Sequence, residues 1–77
     1  MYSIKLHKKM ETFEIKDDII LLNQLLKAIA WCENGAHANA VIEEGLVKVN
    51  GKIETRKRNQ LTRGTIVSFD GNTVKII

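Results

Sequence analysis

Between Lys48 and Arg63 the sequence carries six cations within sixteen residues: Lys48, Lys52, Arg56, Lys57, Arg58 and Arg63. Ammonium and guanidinium groups at that density are suited to phosphate oxygens, which they meet with short, charge-assisted hydrogen bonds. Lysines on an exposed strand also discourage edge-to-edge pairing, so a solvated edge is the competing explanation. The unbroken run Arg56-Lys57-Arg58, relieved nearby only by Glu54, fits that explanation poorly. Like charges held together destabilise the compact state unless an anion compensates them.

Catalysis has little to work with. A nucleophile, a base and an orienting group would have to come from His7, His37, Cys32 and scattered carboxylates, none at a spacing that pairs them. His7 sits in a basic stretch, and His37 lies on a segment with an apolar face. Cys32 follows Trp31 at the end of another apolar segment, where both side chains read as core. The lone cysteine cannot form an intrachain disulfide and has no C-x-x-C partner for a metal. Gly35, Gly45, Gly51, Gly64 and Gly71 are isolated, each explained by a turn or cap, so no phosphate loop is present and no cofactor is expected.

Charge distribution reinforces the first reading. Net charge is +3, yet residues 1–44 carry a balance of −2 and residues 45–77 one of +5. The electropositive half calls for a polyanionic partner. With 77 residues, 44% apolar and 27% charged, the chain is expected to fold as a single domain with a thin core. No apolar run approaches the roughly 20 residues of a membrane span, and the first residues lack the apolar centre of a signal peptide. A cytoplasmic monomer with no membrane partner is the expectation.

These cations have to be positioned by local structure. Ile4 and Leu6 alternate with Lys5, and Phe13 and Ile15 with Glu14 and Lys16, the pattern of a peripheral hairpin within residues 1–16. Asp17 and Asp18 offer an N-cap for a helix from Ile19 to about Trp31, whose face is Leu22, Leu25, Leu26 and Ile29 at helical spacing. Asn34 caps a shorter helix bearing Ala38, Val41 and Ile42, which Gly45 ends. Strands follow at Val47–Val49, Ile66–Phe69 and 73–77, with turns at Arg63-Gly64 and Asp70-Gly71.

The hairpin at Asn50-Gly51 has two possible registers. A two-residue loop sets Ile53 opposite Lys48, facing away from the valines, whereas a three-residue loop pairs it with Val49. The dipeptide favours the short loop and the apolar pattern the long one. Either way the fold class is α+β, two short helices packed on a small, mainly antiparallel sheet of about four to five strands.

The run from Ala38 to Lys52, a helix ending in Gly45 and then Val47-Lys48-Val49-Asn50-Gly51, resembles the central motif of the S4 RNA-binding domain. The likeness extends more loosely over residues 19–69, with Arg63-Gly64 where the family usually shows Gly-Asp. Glu54-Thr55-Arg56-Lys57-Arg58 looks typical of small bacterial S4-like proteins. The resemblance implies an alpha-L module whose two helices and hairpin rest on structured RNA, with any catalysis residing in other domains.

Two departures shift weight within that surface. Family members usually open the first helix with Arg-Leu-Asp and the second with Ser-Arg, whereas Leu21-Leu22 and Asn34-Gly35 stand there in this chain. The expected contacts are therefore Asn34, Lys48, Asn50, Lys52, Arg56, Lys57, Arg58 and Arg63, reading phosphates and the shape of rRNA or tRNA. The alternatives are a module docking on a ribosomal or acidic protein and a DNA-associated protein.

Overall fold

The computed structural model describes residues 10–77. The expected strand at Ile4–Leu6 and the residue His7 lie outside them. Five strands form the main sheet: β1 (Met10–Phe13), β3 (Val47–Val49), β4 (Lys52–Ile53), β6 (Ile66–Phe69) and β7 (Asn72–Ile76), in the order β1-β7-β6-β3-β4. All neighbours are antiparallel except β1 and β7, which run parallel. A two-residue ladder joins β2 (Ile20–Leu21) to β5 (Gln60–Leu61). Two helices, α1 (Leu22–Ala28) and α2 (Gly35–Glu43), complete the α+β architecture.

The core lies between the helices and one face of the main sheet. Leu22, Leu25 and Leu26 of α1 and Ala38 and Ile42 of α2 are fully buried, as are Val47, Val67, Val74 and Ile76 of the sheet. Burying a leucine or valine side chain contributes about 1.5–3 kcal/mol, so these few residues supply most of the driving force. Cys32 belongs to this cluster, and burial pushes its thiol pKa up, which keeps it protonated and unreactive. Trp31 packs beside it, half-buried, its ring centroid 6.5 Å from that of Phe69.

The first helix is shorter than its apolar spacing predicts. Asp17 and Asp18 lie in a bend, and Ile19 to Leu21 run extended before the helix begins. β-branched Ile19 and Ile20 favour that conformation, and the ladder with Gln60 and Leu61 fixes it. The start at Leu22 is held by Gln24, whose Oε1 accepts from the Leu21 amide at 3.1 Å. The end is set by Ala30 in the left-handed region at φ 63°, with Ala30 donating to Lys27 and Trp31 to Leu26, the double bond of a Schellman cap.

The second helix matches its sequence signals. Asn34 caps it, Oδ1 accepting from the His37 amide at 2.9 Å, and Gly45 at φ 79° closes it with the same pair of bonds, Gly45 donating to Ile42 and Leu46 to Val41. The hairpin takes the two-residue loop, pairing Val49 with Lys52 and Lys48 with Ile53. Asn50 and Gly51 both have positive φ, 52° and 85°, as a type I′ turn requires. Ile53 accordingly faces away from the valines, 61% exposed.

β1 was expected within a hairpin of the first sixteen residues. Among the described residues it pairs in parallel with β7, Glu11 opposite Val74 and Phe13 opposite Ile76, and the other strand of that hairpin lies outside them. The ladder continues past the strands, Ile77 donating to Phe13 and Ile15 to Ile77.

Candidate nucleic-acid interface

The polar run from Glu54 to Asn59 connects the hairpin to β5 and carries three of the six cations. Glu54 organises it. Its carboxylate accepts from the Arg56 amide at 2.9 Å, from Arg56 Nε at 2.8 Å and from Arg56 Nη2 at 3.0 Å, with Asn59 Nδ2 at 3.4 Å. These hydrogen bonds, led by those from the Arg56 side chain, lower the Glu54 pKa to about 2. The carboxylate side chain is 15% exposed while that of Arg56 is 74% exposed, so the pair presents its cationic member to solvent.

The loop is also fastened from outside. The Leu22 amide donates to the Asn59 carbonyl at 2.9 Å and the Asn23 amide to the Lys57 carbonyl at 3.0 Å. Two of the orphan donors of the α1 first turn are thus satisfied by the loop rather than by solvent. On its far side Lys57 Nζ meets Glu43 of α2 at 3.1 Å. Both of those side chains are well exposed, so the bridge is weak and open to exchange with a phosphate.

The expected contact residues fall into two groups. Asn34, Asn50 and Arg63 are engaged in the protein's own backbone. Asn34 is the α2 cap, and Asn50 donates its amide to the Ile66 carbonyl at 2.7 Å while its Oδ1 accepts from the Ile66 amide at 2.9 Å. Arg63 Nη2 donates to the Ile15 carbonyl at 2.8 Å, tying the β5–β6 connection to the segment after β1.

The remaining five are cations at the surface. Arg56 and Lys57 have the carboxylate partners described, whereas Lys48, Lys52 and Arg58 are exposed and have none among the described residues. Strand register divides the two lysines. Lys52 shares the face of Val49 and Val67, on the helix side of the sheet, while Lys48 shares the opposite face with Ile53 and Ser68. The cations therefore wrap the hairpin edge instead of forming one flat patch.

Two further residues join them. Arg56, Arg58, Asn59 and Gln60 line an open groove beside the β2–β5 ladder. Asn59 and Gln60 bring carboxamides that donate and accept, next to two guanidiniums that only donate. Their position at the end of the polar run was the available signal, outweighed there by the charges. Among the described residues no group of three His, Cys, Asp or Glu side chains could hold a metal, and no helix is long and apolar enough to cross a membrane.

Comparison with known proteins identifies a family for the fold. The family model of the S4 domain matches residues 13–77. The YbcJ protein of Escherichia coli strain K12 is 45% identical over 69 residues, covering 88% of this chain and 99% of its own length. The YbcJ protein of Shigella flexneri matches with the same identity and coverage. A solution structure of E. coli YbcJ, whose alphaL motif is described as involved in RNA binding, superposes with a TM-score of 0.69 at 39% identity, covering 100% of this chain and 99% of that one.

Proposed function

The chain belongs to the S4-domain family, and on that premise we propose that it binds structured RNA, of the rRNA or tRNA class, without catalysing a reaction. The observation that carries this reading is the set of exposed cations without carboxylate partners among the described residues, Lys48, Lys52 and Arg58, on a hairpin and loop whose backbone is fixed. Charge held on a rigid support loses little entropy on binding, which favours recognition of a shape over adaptation to many.

Lys48, Lys52 and Arg58 contact phosphates in this reading. Arg56 and Lys57 join them by turning free donors outward or exchanging an acidic partner for phosphate. Asn34, Asn50 and Arg63 serve the surface indirectly, by fixing the backbone that presents it. Recognition depends mainly on phosphate geometry, because the major groove of A-form RNA is too narrow for side chains to read.

Filter binding or gel shift against rRNA fragments and tRNA, with duplex DNA as control, tests the reading. With one phosphate at each of Lys48, Lys52 and Arg58, log K should fall with log salt at a slope of about −2 to −3, steepening to about −3.5 to −4.5 where Arg56 and Lys57 join them. Binding that ignores salt refutes the phosphate contacts. Duplex DNA competing as well as RNA would point to a DNA-associated protein. Failure to bind any nucleic acid would leave a protein-docking module.

A further inference from the structure

The groove beside the β2–β5 ladder holds more than charge. Arg56 reaches Glu54 through Nε and one N–H of Nη2. A guanidinium has five N–H donors, so three remain, on the edge turned away from the carboxylate. Glu54 thereby pins the plane of Arg56 while leaving its outer edge unused. Arg58 stands in the same groove, and the carboxamides of Asn59 and Gln60 complete its lining.

The backbone beneath Arg56, Asn59 and Gln60 is held by hydrogen bonds. Asn59 donates to the Arg56 carbonyl at 3.1 Å and accepts from the Leu22 amide at 2.9 Å, and Gln60 is paired with Leu21 in the ladder. A site whose supports are locked in advance loses little on binding.

The geometry points to a nucleotide subsite in this groove, which takes one unpaired nucleotide of an RNA bulge or loop and reads its base. Arg58 and the outer edge of Arg56 hold the phosphate. The carboxamide of Gln60, a donor and an acceptor side by side, hydrogen-bonds the edge of the base, and Asn59 adds Oδ1 and the Nδ2 hydrogen that it does not give to Glu54. A duplex offers the carboxamides less, since its Watson–Crick edges are paired and its major groove is too narrow to enter, which leaves only the minor-groove edges and 2′-hydroxyls. Glu54 acts as a positioning residue, holding Arg56 without touching the RNA. This subsite rests on the RNA-binding reading above and adds to it a preference that phosphate contacts alone would not create.

The test compares two RNA hairpins, identical except that one carries a single-nucleotide bulge, by fluorescence anisotropy with the full chain. The expected result is about tenfold tighter binding of the bulged RNA, the order of discrimination a paired carboxamide provides. The double variant N59A/Q60A should bind both hairpins equally, at the wild-type affinity for the paired one. Should N59A/Q60A melt early, Gln60→Ala alone, an exposed side chain, should still reduce the preference severalfold. Equal wild-type affinity for both hairpins overturns the subsite and leaves the phosphate reading intact, as does a preference that survives both variants. Failure to bind either hairpin overturns the RNA-binding reading together with the subsite.

Discussion

Substitutions at Asn50 separate its service to the fold from any contact with RNA. The residue does two things in the structure: it adopts φ 52°, and its Oδ1 accepts from the Ile66 amide at 2.9 Å, extending the β3–β6 ladder by one side-chain bond. Asn50→Ala loses both advantages. The lost hydrogen bond costs about 1 kcal/mol, and the Cβ of alanine in the left-handed region adds about 1 kcal/mol more. Asn50→Gly loses the bond but relieves the conformation, so its cost is about 1 kcal/mol. Asn50→Asp keeps both acceptor and conformation and should be milder than either. For a domain of this size each kcal/mol moves Tm by about 4–8 °C, so the three variants are resolvable by thermal melting and by urea titration. RNA affinity measured well below the melting range should be unchanged for the alanine and glycine variants, whereas the aspartate places a negative charge between Lys48 and Lys52 and should weaken binding. Alanine and glycine costing the same would refute the conformational part of this reasoning. A loss of RNA affinity in the alanine or glycine variant, measured on folded protein, would place Asn50 in contact with RNA.

Other expectations follow from single features. Ala30→Gly should raise stability by about 0.5–1 kcal/mol in urea titration, because Ala30 occupies the left-handed cap position at φ 63°. Glu54→Gln should lower it by about 1 kcal/mol at pH 7 through weakened loop hydrogen bonds. The Glu54 carboxyl is depressed from 4.5 to about 2 in the fold, so its contribution is complete above pH 4.5 and lost as pH falls toward 2. The variant should lack that part of the acid limb in pH-dependent melting. Leu25→Ala, at a fully buried position, should cost about 2–5 kcal/mol and strongly deplete the folded state in calorimetry. Arg58→Ala should leave stability within about 0.5 kcal/mol of wild type and reduce the salt slope of RNA binding by about 0.7–0.9.

The sequence made legible what is decided locally. Asn34 and Gly45 bracket α2 because a cap and a left-handed stop act within one turn of the helix. Asn50-Gly51 chose the hairpin register against the apolar pattern, since two positive φ angles are a stronger constraint than the burial of one isoleucine at a sheet edge. The start of α1 was obscured because its stabilisers are Gln24 inside the helix and carbonyls more than thirty residues later, while Asp17 and Asp18 imitate a cap. Its end was obscured because the left-handed residue is an alanine. Similarly, charge located the candidate surface but could not sort its members. Whether Lys57 faces Glu43, or Arg63 a backbone carbonyl near β1, depends on tertiary proximity that spacing does not encode.

The placement of β7 between β1 and β6 bears on how the molecule is made. This strand, synthesised after every other described one, is the seam between the beginning of the sheet and the rest of it. Until it leaves the ribosome, β1 has no described partner and β6 lacks one of its two neighbours. The sheet therefore closes only when β7 arrives, in a step that joins residues about sixty positions apart.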